Sequence, residues 1–316
     1  MKIKSGIHTF CLTQKVPYNE ITNICQANND VIKYKISDMG TTRTYHIYTY
    51  KKIGVEIILN QSLVYPSNIK MIINPSSLLA NTYDETGLFK ATKSNIKILY
   101  SKLKTITDKI GLKSLDKFKL SRCDITEDRY YDTQADVMFI LNVFKKSLPI
   151  RYYNPRILKN KTDNNYYWEI ASDICQFSVY NKTYELKKRH NIKIHDNILR
   201  MEYRLERKNI TKICKCKYWK EQLNKLYKST NKILSKFLHR LHQDNINIVT
   251  KSYAIEQINS SKYRKNTKKE LIRIIKKASS CETLAATQKQ CRIKRSKFIK
   301  LLKKISDMGF NAVTRD

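Results

Sequence analysis

The sequence predicts an α+β fold: a mixed or antiparallel central sheet with flanking helices, followed by a basic helical C-terminal region. Three observations carry this prediction. Runs rich in β-branched and aromatic residues fill the first hundred positions and recur between 118 and 206. Helix-spaced apolar residues with stop signals lie among them. After residue 206 the chain turns helical and more basic, so 1–210 reads as an α+β domain and 211–316 as a basic helical region.

The elements follow in order. Strands are expected at 31–36, 44–50, 55–60 and 69–75, the last ended by Asn74 and Pro75. A helix opens near Ser94, with Ile96, Ile98, Leu99, Leu103 and Ile106 on one face and Gly111 as its stop. Next come a strand at 118–126, a helix at 133–148 closed by Pro149, and strands at 165–171 and 174–180 around a turn at Ser172 and Asp173. A short basic helix (181–190) and a strand (198–207) complete the domain. Helices are then expected at 217–244, 267–279, 282–290 and 294–307, with Gly309 at the last stop. Residues 251–316 hold 18 basic and 5 acidic side chains, and their final helix suits either a helix-turn-helix reader or a solvated basic bundle.

Composition narrows the function. The 316 residues carry 62 Lys and Arg against 27 Asp and Glu, a net charge of +35, while 41% hydrophobic residues suffice for a core. Such an excess calls for a polyanionic partner, nucleic acid first. The longest apolar run, Val137 to Leu141, falls far short of the roughly 20 residues of a membrane span. The basic N-terminus lacks the long apolar segment of a signal peptide. The eight cysteines are scattered, with Cys214 and Cys216 the closest pair, as expected for thiols of a reducing compartment; a cytoplasmic location is expected.

Strand parity then sorts the residues between 118 and 206 into two faces. Cys123, Ile125, Tyr166, Trp168, Ile170, Phe177, Val179, Leu199, Met201, Tyr203 and Leu205 fall on a packing face. Arg122, Asp124, Tyr167, Glu169, Tyr180, Arg200, Glu202 and Arg204 fall on a polar face. A hairpin centred between 172 and 173 pairs 167 with 178 and 169 with 176. Phosphoryl transfer on a DNA backbone uses such parts: carboxylates for a divalent cation, a tyrosine nucleophile, and cations for flanking phosphates. Alternating Arg and Glu on a strand face also suit a solvated ion-pair ladder, so the pattern alone leaves both readings open.

Four motifs in sequence order carry a resemblance. They are Arg122–Thr126, the strand bearing Tyr167, the segment Tyr180–Leu186 with Lys182 and Glu185, and the strand Arg200–Arg204. Together they resemble the rolling-circle replication initiation proteins of filamentous phages and related plasmids, the gene II/X type. The resemblance covers about residues 118–210. It implies a site-specific nickase that cuts one strand at a replication origin, holds the 5′-phosphate on a tyrosine, leaves a 3′-hydroxyl to host polymerase and helicase, and later rejoins the strand. By this resemblance Asp124 and Glu202 become ligands for Mg²⁺ or Mn²⁺, Lys182 a phosphate binder, Tyr167 the preferred nucleophile and Tyr166 the second. Glu185 is either a further ligand or a helix-start acid. Arg122, Arg200, Arg204, Arg292 and Arg295 are the expected DNA-phosphate contacts. The alternative is a basic DNA-binding protein without catalysis, a repressor or packaging factor; a tyrosine-rich RNA binder is a third reading.

Overall fold

The computed structural model describes residues 2–36, 40–82, 86–112, 114–156, 163–243, 245 and 247–315. Strand β1 (Lys2–Val16) is followed by α1 (Tyr18–Ala27), β2 (Ile32–Ile36), β3 (Thr42–Ile47), β4 (Val55–Ser62), β5 (Ser67–Ile73), α2 (Pro75–Ala80) and α3 (Lys93–Lys109). Then come β6 (Lys119–Tyr131), α4 (Gln134–Lys145), β7 (Asn154–Arg156), β8 (Tyr167–Ser172), β9 (Cys175–Asn181), α5 (Lys182–His190) and β10 (Asn197–Glu206). The rest is helical: α6 (Arg207–Cys214), α7 (Trp219–Lys228), α8 (Thr230–Leu241), α9 (Lys251–Ser260), α10 (Lys265–Ala278), α11 (Leu284–Gln290) and α12 (Arg295–Asp307). The chain is therefore α+β, as its pattern predicts.

The strands form one sheet in the order β2-β3-β4-β5-β1-β6-β10-β9-β8-β7, every pairing antiparallel. Polar side chains set the helix starts: Thr92, Thr133 and Asn181 accept bonds from the backbone N–H of Asn95, Asp136 and Tyr184. Gly54 closes the turn into β4 with φ +85°, and a Cβ there would stand 2.8 Å from the Asn74 carbonyl oxygen.

Several elements depart from the sequence expectation. Strand β1 mixes Lys, Ser, Thr and Gln with apolar residues and gives no clean alternation; it is held because both edges pair, with β5 and with β6. The β8–β9 hairpin turns at Asp173 and Ile174, one residue later than expected, so Tyr167 pairs with Tyr180 and Glu169 with Ser178. A one-residue shift of the turn moves each partner by two, which leaves the faces intact. The expected helix 217–244 is broken at Ser229 into α7 and α8; its last residue, Asp244, lies outside the described residues.

The core does not divide at residue 210. Ile210, Cys214, Trp219, Leu223, Leu226, Leu234, Phe237 and Leu241 from α6–α8 pack into the same core as the sheet. Phe177 of β9 lies against Phe144 of α4 and Phe237 of α8, and Phe10 of β1 stacks with Trp219. A second core joins α9–α12 to Val143 and Leu148 at the end of α4. Charge rises after 206, but the apolar stripes of α6–α8 still need the sheet to cover them. Helices thus bury one sheet face, and the other carries the polar residues.

Candidate active site

The polar face follows from the register. Arg204 of β10 lies opposite Asp124 of β6 and Gln176 of β9; Glu202 lies opposite Thr126 and Ser178; Arg200 lies opposite Asp128 and Tyr180. On the next strand Tyr167 and Glu169 face Tyr180 and Ser178. A shift in the β1–β6 register between Ile7 and Thr9 brings His8 to the same side. Of these, His8, Asp124, Tyr167, Gln176, Ser178, Tyr180, Glu202 and Arg204 line a cleft of about 240 Å³, with Arg122, Tyr166 and the α5 residues Tyr184, Glu185, Lys188 and Arg189.

At its centre Asp124, 1% exposed, is held by two guanidiniums. Arg122 donates through Nε at 2.9 Å and through Nη2; Arg204 donates through Nε at 3.0 Å and Nη2 at 3.2 Å. Arg204 also donates Nη1 to Gln176 at 3.0 Å. Both arginines keep part of their side chains open to the cleft (21% and 30%), so Asp124 fixes two cations side by side on its floor.

Glu202 accepts from the Tyr180 hydroxyl at 2.9 Å and lies 3.1 Å from His8 Nδ1. Burial pushes its carboxyl upward, but His8, Arg200 and the Tyr180 hydroxyl outweigh that and hold it well below the usual range. Tyr180 is itself pushed up by burial and the Glu202 charge, so it stays a donor.

Tyr167 stacks on Tyr180, ring centroids 5.8 Å apart, and its hydroxyl donates to Glu169 Oε2. Burial first, then the Glu169 carboxylate, push the phenol well above its ordinary value. Tyr167 is therefore a neutral phenol hydrogen-bonded to the carboxyl group of Glu169. Gln176 donates to the same Glu169 oxygen at 2.6 Å, and Arg156 approaches Oε1 at 3.5 Å.

The structure brings Asp124, Glu202, Arg122, Arg204, Tyr167 and Tyr166 to one cleft. Tyr166, expected on the packing face, precedes β8 and stacks on Tyr184 instead, ring centroids 3.5 Å apart. Lys182 and Arg200 do not line the cleft. Lys182 is fully buried with Nζ 2.7 Å from Glu185, which thereby serves as the first-turn acid of α5. Arg200 is 0% exposed: its Nε and Nη2 bind Asp128 at 2.7 and 2.8 Å, and Nη2 also binds the Thr86 carbonyl. The chain around Thr86–Phe89, paired to Ile7, closes this end of the polar face, so Arg200 cannot reach a phosphate. Arg292, in the turn before α12, and Arg295, at the start of α12, are exposed and lie outside the cleft. Parity places Glu169 on the polar face and the expected hairpin pairs it with Gln176, without a role for either; His8 is the site residue that the sequence did not point to.

The expected divalent-cation site does not fit the arrangement. Asp124 is neutralised by two arginines, Glu202 is occupied by His8 and the Tyr180 hydroxyl, and among the described residues no group of three His, Cys, Asp or Glu is placed to hold a metal ion.

No family model matches the sequence, and no curated protein matches it. Among solved structures the chain is similar to a rolling-circle replication initiator protein from Geobacillus stearothermophilus, at 9% identity and TM-score 0.36, over 76% of this chain and 86% of that one. It is also similar to the di-domain ARO/CYC BexL from the BE-7585A biosynthetic pathway, at 9% identity and TM-score 0.24, over 77% and 98%. Among the described residues no helix is long and apolar enough to cross a membrane.

Proposed function

We propose that the cleft cuts and rejoins one strand of DNA to start replication. The observation that carries this reading is Tyr167, hydrogen-bonded to the buried Glu169, in the same cleft as the Arg122–Asp124–Arg204 clamp. Arg122 and Arg204 hold the non-bridging oxygens of a phosphate and offset the charge that builds as it is attacked. Tyr167 Oη bonds to phosphorus while the bond to the 3′ oxygen breaks. The phenol proton passes to Glu169, and the leaving 3′ oxygen takes a proton from water. The products are a 5′-phosphotyrosine and a 3′-hydroxyl, and the reverse steps rejoin the strand.

The C-terminal helices supply duplex binding in this reading. A four-residue turn, with Arg292 at φ +50°, joins α11 to α12, and α12 exposes Ser296, Lys300 and Lys303 opposite its buried Phe298, Leu302 and Ile305. The protein would work in the cytoplasm beside the host helicase and polymerase. That basic face also favours a second reading, a DNA binder without chemistry.

The test uses a labelled pool of random-sequence single-stranded oligonucleotides, with and without Mg²⁺ or Mn²⁺. The expected result is a protein–DNA adduct that survives denaturation and disappears in Tyr167→Phe. No adduct from the wild-type protein under any of these conditions overturns the nickase and leaves the binder.

A further inference from the structure

Beside the cleft lies a second concave surface of about 690 Å³ that shares Gln176 and Arg204 with it. A third, of about 880 Å³, continues from the second through Tyr152, the β8–β9 turn and Lys208. The three thus share lining residues in succession, outward from Arg204, and are treated together as one groove. Beyond the cleft its cations include Arg156 of β7, Arg207, Lys208 and Lys212 of α6, and Lys236 of α8; its acids are Asp173 and Glu206. This is the charge pattern of a surface that follows a phosphate backbone.

Tyr152 stands where the second and third surfaces meet. Its side chain is 74% exposed and its backbone has φ +69°, a left-handed conformation that a bulky residue rarely adopts. It is the third residue of a turn closed by Tyr153 N–H to the Ile150 carbonyl at 3.1 Å, a place that suits glycine. The next residue fixes the turn from below: Tyr153 meets the Tyr203 hydroxyl at 3.3 Å and packs on the ring of Phe237. The fold thus holds an exposed aromatic ring in the groove at a cost in backbone strain, with the Arg151 guanidinium over it at 4.6 Å from the ring centroid.

We infer that this groove carries the single strand flanking the cleaved phosphate, with Tyr152 as the platform on which one unpaired base stacks. The inference rests on the DNA reading above and names the form of DNA that the groove takes. Base faces are available only in an unpaired strand, so the ring discriminates against duplex.

The test measures binding by fluorescence anisotropy with a labelled oligothymidine and a duplex of equal length, in chelator so that no metal enters. Tyr152→Gly removes the ring and relieves the left-handed backbone, so the fold is kept. It is expected to weaken single-strand binding about tenfold or more while duplex binding stays within twofold, and Tyr152→Phe is expected to bind like wild type. Unchanged single-strand binding by Tyr152→Gly overturns the inference, as does an equal loss on duplex. A wild-type protein that loses single-strand affinity with Tyr152→Gly yet forms no adduct would sink the nickase and keep the groove. One that forms the adduct while Tyr152→Gly binds normally would do the reverse.

Discussion

Glu169 stands two positions beyond Tyr167 on the same strand face, and that spacing gives the phenol a proton acceptor. Glu169→Gln keeps the shape and removes the base; adduct formation measured in single turnover is expected to slow by roughly 10²- to 10⁴-fold, whereas an unchanged rate would remove Glu169 from the chemistry. Asp124 and Asp128 look alike in the sequence and differ in surroundings: one orients two cleft arginines, the other neutralises a sealed one. Arg200→Met leaves Asp128 as an unpaired buried charge, with an expected loss of ~3–5 kcal/mol in denaturant unfolding. Glu202 gives a pH signature. Its folded pKa lies below its unfolded value, so its stabilisation is fully present above about pH 4.3, the ordinary glutamate value, and is lost as pH falls through the lower folded value. Glu202→Gln is expected to flatten the decline in stability below that pH, as followed by circular dichroism.

Parity read from the sequence placed Asp124, Tyr167, Glu202 and Arg204 on one face, because strand alternation is a local property. It placed Arg200 there too, and could not show that the segment at 86–89 closes over it, since that closure comes from a residue far along the chain. His8 was illegible for another reason. Strand β1 has no clean alternation, and the shift in register at His8 is visible only once β6 is beside it.

Among the elements, the β8–β9 hairpin positions Tyr167, and its inner face is clamped by aromatics. Phe177 is fully buried between Phe144, Trp168, Tyr203 and Phe237. Phe177→Ala is expected to cost about 3–5 kcal/mol in chemical denaturation; a loss under 1 kcal/mol would mean that the helices do not hold this hairpin. The strands from β2 to β5 were legible because β-branched runs with turn residues between them are a strong local signal. The hairpin turn was misplaced by one residue, and the site survived the error because face depends on parity alone. Helices α6 to α8 read as part of a separate basic region, since their charge hides stripes that fit only against the sheet.

At the scale of the whole molecule, the proposed DNA binding would draw on a net charge of +35 and is expected to weaken with salt. Each phosphate neutralised should lower log affinity by ~0.9 per log unit of salt on duplex and ~0.7 on single strands. Lys300→Glu with Lys303→Glu on α12 is expected to weaken duplex binding and reduce its salt slope while leaving the adduct with single strands intact, as measured by filter binding and denaturing gel. Equal loss of both would show that the second core and the cleft do not act as separate surfaces.

The central claim is that the phenol of Tyr167, among 21 tyrosines, attacks DNA. Digestion of the denatured adduct with nuclease and protease, followed by mass spectrometry, reads the attachment point directly. The expected result is a nucleotide phosphate on the peptide containing Tyr167, on that residue. A phosphate carried by Tyr166 or by any other residue would contradict it.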